Sequence, residues 1–517
     1  MNKYKIKNVY AMTLDELIGQ VIMIGFPSIE LDNTYKEFIK KYKIGNYILF
    51  ARNYHDTLQM KKLMKELYEY TTEIVGSFPL VSIDQEGGMV VRLFNDVTFP
   101  ASPLTTSATT ISNAPYKTGY IVGKDMLSFG INLNLAPCLE INEDLANPLI
   151  NVRGYGATKE IVLNNATKFV AGIQDSGALS CIKHFPGAGS STKDSHLELP
   201  IIEESKENLL NYNMYPFCHL LQSDALMTSH CLYKSFDELP STLSKVLLTE
   251  VLRNQIGFKG LIISDGMEMK AISDSYGIGK GCVMALNAGC DILLLCHDYE
   301  EQKNAFEYVK KACETGELSI DLLIDKVTRI NKAKEKLVSK LMQYFTDEDY
   351  IVNNDEHQLM QEIVDNSYTL IKGTAPYINQ NTLVIASNAK VASIVEDEFD
   401  ERNLVNALKH NFPNNTVIKF NNDPTFVPGI LNIVENYNNI LVYSYDAYND
   451  NIQKSTINEL LKLNKDVHIV SIKGPIDQNY FIGLKNYSCI YEYTPNGIRT
   501  IIKQLKNEIN LNGRLPM

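Results

Sequence analysis

Eight short apolar runs recur through the first 300 residues, at 20–26, 45–50, 79–84, 131–140, 178–184, 225–230, 260–265 and 290–296. Most are separated by segments whose apolar residues return at helical spacing, as at 58–70 and 160–174. Strands alternating with amphipathic helices imply parallel βαβ units. Eight of them in this length predict a (β/α)8 TIM-type barrel, with a doubly wound open sheet as the structural alternative.

Polar residues fall at a consistent place in this pattern. Asp84-Gln-Glu86 ends the third run, Lys183-His184 the fifth, Ser229-His230 the sixth and Ser264-Asp265 the seventh. In a barrel these ends meet on one face, around one pocket. The fifth run leads through Pro186 and Gly187 into a loop of Gly, Ser and Thr that carries Asp194-Ser-His196. A carboxylate two residues from an imidazole can accept its ring N–H, fix its tautomer and raise the basicity of the other nitrogen.

Downstream, 319–344 reads as a long helix, 345–355 as an acidic linker without pattern, and 356–372 as a further helix. Apolar runs at 382–386, 416–420, 440–445, 467–472 and 488–493 then alternate with helical segments such as 452–463 and 498–508. The expected organisation is a barrel over 1–345, a linker and connecting helix over 346–366, and a smaller α/β sandwich domain over 367–517. The second domain has no Gly-x-Gly-x-x-Gly loop, which argues against a dinucleotide site.

Composition narrows the function. The 517 residues carry a net charge of −12 with no basic tract, which disfavours nucleic acid and anionic membrane as partners. No apolar stretch reaches the length of a membrane span, and the N-terminus lacks the apolar core of a signal peptide. The nine cysteines are scattered without a Cys-x-x-Cys pair. These features read together as a soluble cytoplasmic protein.

The chemistry follows from the strand ends. Asp265, ahead of Gly266, is a carboxylate that can act as a nucleophile or stabilise a cation; the alternative is a helix N-cap. Asp84 and Glu86 could cap the turn at Gly87-Gly88, and Arg92, Arg153 and Lys183 could lie on the surface or pair with a partner carboxylate. Converging on one pocket, cations and carboxylates suit a ligand with many hydroxyls, such as a sugar. One carboxylate nucleophile with one proton-transfer group is what retaining glycoside hydrolysis needs, and His196 backed by Asp194 is the candidate donor. A metal site from His184, His196, His230 and Asp265 is disfavoured, because the sequence lacks His-x-His and His-Glu-x-x-His spacings. A Schiff base on Lys183 would leave Asp265 and the Asp-x-His pair without roles.

The blocks Ile83-Asp-Gln-Glu-Gly-Gly88, Asn151-Val-Arg-Gly-Tyr-Gly156, Lys183-His-Phe-Pro-Gly187, Asp194-Ser-His196, Leu226-Met-Thr-Ser-His230 and Ser264-Asp-Gly-Met-Glu-Met-Lys270 resemble, in order and spacing, the family 3 glycoside hydrolases of the β-N-acetylglucosaminidase branch. The resemblance implies that Asp265 is the nucleophile of a glycosyl–enzyme intermediate. It implies that His196, oriented by Asp194, is the general acid/base. Asp84, Arg92, Arg153, Lys183 and His184 would bind the terminal N-acetylglucosamine of a β-glycoside such as a peptidoglycan fragment, with no cofactor and no metal. The second domain is similar to the extra α/β domain of some members. Three positions depart from the family pattern, which usually has His at Ala188 and Arg at Met89, and often Asp at Glu140; the first two bear on loop geometry and the leaving-group subsite, and so on the natural aglycone. Three rival readings use the same residues: a phosphorylase with an imidazole that does not repel phosphate, a β-glucosidase or xylosidase, and a sugar-binding protein with a disabled site.

Overall fold

The computed structural model describes residues 4–143, 147, 150–187, 199–346, 348–388 and 403–517. Eight parallel strands close into a barrel. They are β1 (Ile22–Ile24), β2 (Asn46–Leu49), β3 (Leu80–Ile83), β4 (Leu133–Asn134), β5 (Leu179–Phe185), β6 (Ala225–Thr228), β7 (Leu261–Gly266) and β8 (Ile292–Leu295), with β8 hydrogen-bonded to β1. Each lies within one of the eight apolar runs or passes its end by one residue, and the barrel replaces the open-sheet alternative. The strands are short and nearly continuous in apolar character because helices cover their outer face.

The helices have the local signals that sequence reading uses. Helix Thr57–Val75 starts at Asp56, which accepts from Gln59 N, and stops at the left-handed Gly76. Helix Lys159–Ser176 is capped by Thr158 and stops at Gly177, φ +99°. Both glycines adopt a conformation that a side chain would oppose. Helix Ile320–Tyr344 packs on helices Leu14–Val21 and Ala114–Phe129, and its buried face includes Leu323, Val327, Ile330, Leu337 and Leu341. No helix of the described residues is long and apolar enough to cross a membrane.

The helix expected over 356–372 is shorter. It runs Asn354–Asp365, and Thr369–Lys372 is a strand, β9. The reason is local. Asn366 Nδ2 and Ser367 Oγ donate back to the carbonyls of Glu362 and Val364, at 2.9 and 2.8 Å, ending the ladder.

β9 pairs antiparallel with β14 (Asn486–Cys489) at one edge of a second sheet. The other strands are β10 (Thr382–Ala386), β11 (Thr416–Lys419), β12 (Asn439–Ser444) and β13 (Asp466–Ser471). The order is β9-β14-β13-β12-β10-β11, parallel apart from β9. Apolar clusters lie on both faces of this sheet, as in a three-layer α/β sandwich.

Candidate active site

The polar residues that end the strands gather at the carboxyl end of the barrel. Asp84 follows β3 directly. Lys183 and His184 lie in β5, and Asp265 is the penultimate residue of β7.

Lys183 sits at the centre. Its Nζ lies 2.7 Å from Asp84 Oδ1 and 2.6 Å from Glu86 Oε1. Glu86 in turn takes a forked pair of bonds from Arg153, Nε to Oε2 and Nη2 to Oε1, both 2.9 Å. Arg92 Nη2 stands 3.7 Å from Asp84 Oδ2. The three cations are therefore buried in a network with two carboxylates, not spread on the surface.

Burial alone would raise the Glu86 pKa, but Arg153 and Lys183 reverse this and hold it well below the usual carboxylate range. Burial likewise opposes the Lys183 charge, and Asp84 and Glu86 outweigh it, holding the ammonium above its ordinary value. Both groups stay ionised at neutral pH.

Exposure separates the groups that face a ligand from those behind them. The side chains of Asp84 and His184 keep 15% and 18% of their exposure, whereas Glu86 and Glu140 keep 1% each. Glu140 Oε1 accepts from the His184 backbone N–H at 2.9 Å and lies 2.7 Å from its Nδ1. An ionised carboxylate only accepts, so Nδ1 carries the proton and Nε2 is left as the second ring nitrogen. Asp84 and His184 thus keep accessible polar atoms, with Lys183 and Arg92 paired to Asp84 from the buried side.

The loop that carries Asp84, Glu86 and Arg92 is braced from within. Asn134 on β4 bonds both the N–H and the carbonyl of Gln85, at 3.1 and 3.0 Å. The Gln85 side chain accepts from the N–H groups of Arg92 and Leu93 and donates to Leu93 O. Gly87 and Gly88 adopt φ +106° and +62°; a Cβ on Gly87 would stand 2.2 Å from Ala101 O. The turn needs glycine at both positions.

Asp265 does not cap a helix. Its Oδ1 accepts from the adjacent Gly266 N–H at 2.8 Å, and the next helix, Lys270–Tyr276, begins after Met269. His230, at the end of β6, donates from Nε2 to Gly266 O at 2.9 Å, while its Nδ1 meets Thr242 Oγ1 at 2.8 Å. His230 therefore supports the strand end that carries Asp265. Burial, then Glu268, Asp265 and Asp84, push the Cys296 thiol well above its ordinary pKa.

Asp194, His196 and Ala188 lie outside the described residues. The remaining six expected site residues fall at this end of the barrel, with Arg153 linked to the others through Glu86. Glu86 and Glu140 are the groups that sequence reading missed. Glu86 is not a turn cap, since its carboxylate is taken up by Arg153 and Lys183. Its signal was its place two residues beyond Asp84, ahead of the glycine pair. Met89 is buried among residues of the second domain.

Among the described residues, Cys138, Glu140 and His184 bring possible metal-ligand atoms within 4.8 Å of one another. The His184 Nδ1 proton is directed at Glu140, and burial holds the Cys138 thiol well above its ordinary pKa. A metal would have to displace both protons, so the trio fits a hydrogen-bonded network better than a preformed ion site.

A closed parallel barrel with buried cations and carboxylates gathered at the carboxyl ends of its strands is the arrangement of a (β/α)8 enzyme. The chain belongs to glycosyl hydrolase family 3, whose N-terminal domain pattern matches residues 13–333, and it is a glycoside hydrolase. It is 28% identical over 426 residues to "Beta-hexosaminidase A" of Pseudoalteromonas piscicida, covering 74% of this chain and 70% of that protein. It is 32% identical over 282 residues to "Beta-hexosaminidase" of Tolumonas auensis, covering 54% and 83%. Over 98% of this chain and 99% of the other, the fold matches a family 3 β-N-acetylglucosaminidase from Paenibacillus sp. str. FPU-7, with a TM-score of 0.90 and 32% identity.

Proposed function

We propose that the protein is a retaining exo-β-N-acetylglucosaminidase that removes terminal N-acetylglucosamine from β-glycosides such as peptidoglycan fragments. The observation that carries this reading is the Asp84–Lys183–Glu86–Arg153 network, at the same barrel end as Asp265. The β-hexosaminidase activity named for its relatives supports the choice of sugar.

In the first step the Asp265 carboxylate attacks the anomeric carbon as the bond to the leaving oxygen breaks. His196, oriented by Asp194, gives that oxygen a proton. In the second step His196 takes a proton from water, whose oxygen attacks the anomeric carbon and releases Asp265. Two inversions leave the anomeric configuration retained. Asp84, Arg92, Lys183 and His184 hold the ring hydroxyls, with Arg153 acting through Glu86. The nine free cysteines, eight of them buried, suit the cytoplasm.

The test is turnover of p-nitrophenyl N-acetyl-β-glucosaminide by wild type, Asp265→Asn and His196→Ala, with the β-glucoside as control. The reading predicts turnover of the N-acetyl substrate alone, lost in Asp265→Asn and impaired in His196→Ala. Activity that survives Asp265→Asn would remove Asp265 as nucleophile. A sugar 1-phosphate as the product in phosphate-rich buffer would replace hydrolysis by phosphorolysis.

A further inference from the structure

The two partners of the buried Glu86–Arg153 pair are each carried by a segment that the second domain holds. Glu86 begins the turn Glu86–Val90, closed by the Glu86 N–H to Val90 O at 3.0 Å. Met89 at its tip is 2% exposed and belongs to the apolar cluster of Tyr368, Val384, Tyr443, Tyr445, Tyr493 and their neighbours. Among the described residues, Met89 is the one fully buried member of that cluster from outside the second domain.

The turn rests on a strip that the second domain also binds. Gly88 N–H donates to Pro100 O at 3.0 Å, and a Cβ on Gly88 would stand 2.5 Å from Ser102 Cβ. Ser102 N–H donates to Glu492 Oε1 at 2.6 Å, and Thr494 Oγ1 holds the other Glu492 oxygen at 2.7 Å. Asn496 Nδ2 donates to Phe99 O at 3.2 Å.

Arg153 is approached from the other side. It ends the turn Asn151–Arg153, in which Val152 packs in a cluster with Cys489 and Tyr491 of the second domain. Gly474 lies so close that a Cβ there would stand 2.4 Å from Asn151 Oδ1. The Ala157 N–H donates to Pro516 O at 3.2 Å.

We infer that the second domain sets the geometry of the sugar-binding network, with Met89 and Glu492 as positioning residues for the Glu86–Arg153 pair. This deepens the proposed function at the same site and rests on it for the choice of substrate. A carboxylate and a guanidinium forked at 2.9 Å tolerate little displacement. Side chains of two domains fix both, so the register between the domains becomes a property of the sugar pocket. Met89 stands where the family usually has Arg, so this chain couples loop and domain by apolar packing.

The experiment compares full-length wild type, Met89→Ser, Met89→Leu and Glu492→Gln. It reads kcat and KM on the aryl N-acetyl-β-glucosaminide, the inhibition constant of free N-acetylglucosamine, and the melting temperature. Met89→Ser is expected to lower kcat/KM and weaken N-acetylglucosamine binding by about tenfold or more, as misplacing binding groups by a fraction of an ångström does. Met89→Leu is expected to restore both to within about threefold, because it refills the volume. Glu492→Gln, which keeps the shape and removes the charge, is expected to shift both in the same direction by about threefold. If Met89→Ser does not fold, Glu492→Gln carries the test. Melting temperatures that fall while kcat/KM and the inhibition constant stay within about twofold of wild type would overturn the inference, leaving both residues as packing alone. A wild type that turns over only another aryl glycoside would overturn the proposed specificity instead, and the variants would then be read on that substrate.

Discussion

Arg153 and Glu86 meet in a forked ion pair with both N···O distances at 2.9 Å, and Lys183 approaches the same carboxylate at 2.6 Å. Nothing in the pair is interchangeable. A lysine at 153 could make one bond but not two, and its compact charge is costlier to bury. Arg153→Lys is expected to lower kcat/KM on the aryl N-acetyl-β-glucosaminide by about a hundredfold, and Glu86→Gln by at least as much. Breaking a buried pair from one side costs about 3–5 kcal/mol, so the melting temperature should fall in both variants. Steady-state kinetics and thermal melts check this; unchanged kinetics in either variant would remove the pair from the site.

The depressed Glu86 pKa adds a pH dependence. A carboxylate held below its unfolded value stabilises the fold above that value and loses this as pH falls through its folded pKa. The Glu86 contribution is therefore constant above about pH 4.5 and is lost only in stronger acid. Chemical denaturation should show wild type and Glu86→Gln separated by a constant margin from pH 5 to 8, converging below pH 4.

His184 depends on Glu140 for its orientation. Glu140→Gln keeps an acceptor oxygen and should lower kcat/KM by less than about tenfold, whereas Glu140→Leu leaves the ring and the His184 N–H without a partner and should cost about a hundredfold. Equal effects of the two substitutions would mean that the charge, rather than the hydrogen bonds, is what His184 needs.

Asp125, on helix Ala114–Phe129, is buried, and burial pushes it up to about 7, against the pull of Lys124. Between about pH 4 and 7 the folded chain keeps a proton that the unfolded chain has released, so this residue weakens the fold as pH rises. Asp125→Asn should be more stable than wild type at pH 8, by roughly 1–3 kcal/mol, with the gain gone at pH 4. Melts across this range test it, and a gain independent of pH would refute the titration.

Lys334 behaves in the opposite sense. Its Nζ is fully buried with Gln20 Oε1 at 2.9 Å, and desolvation lowers it to about 7. Between pH 7 and about 10 the unfolded chain holds a proton that the folded one has shed, so wild-type stability rises with pH over that interval. Lys334→Met should be the more stable protein at pH 7 and lose that advantage by pH 9.5, as read by urea denaturation.

The strand-end residues were legible because period and position coincide. Asp84, Lys183 and Asp265 each follow an apolar run, and a barrel sends such positions to one face. Glu86 and Glu140 were not legible as site residues, because their roles depend on partners 67 and 44 positions away in the chain. The helix end at Asp365 was missed because Asn366 and Ser367 compete for its last carbonyls, which an apolar pattern does not register. Met89 was visible as a departure after two glycines, but no local pattern tells that its neighbours are Tyr445 and Tyr493, more than 350 residues on.

The closed barrel leaves no strand unpaired along its circumference, whereas among the described residues the second sheet ends in two edge strands, β9 and β11. An open edge can recruit a strand from another molecule. Both edge strands here span four residues, and each finishes on an exposed lysine, Lys372 and Lys419. Like ammonium groups at these positions repel one another and disfavour edge-to-edge pairing of two copies of this domain.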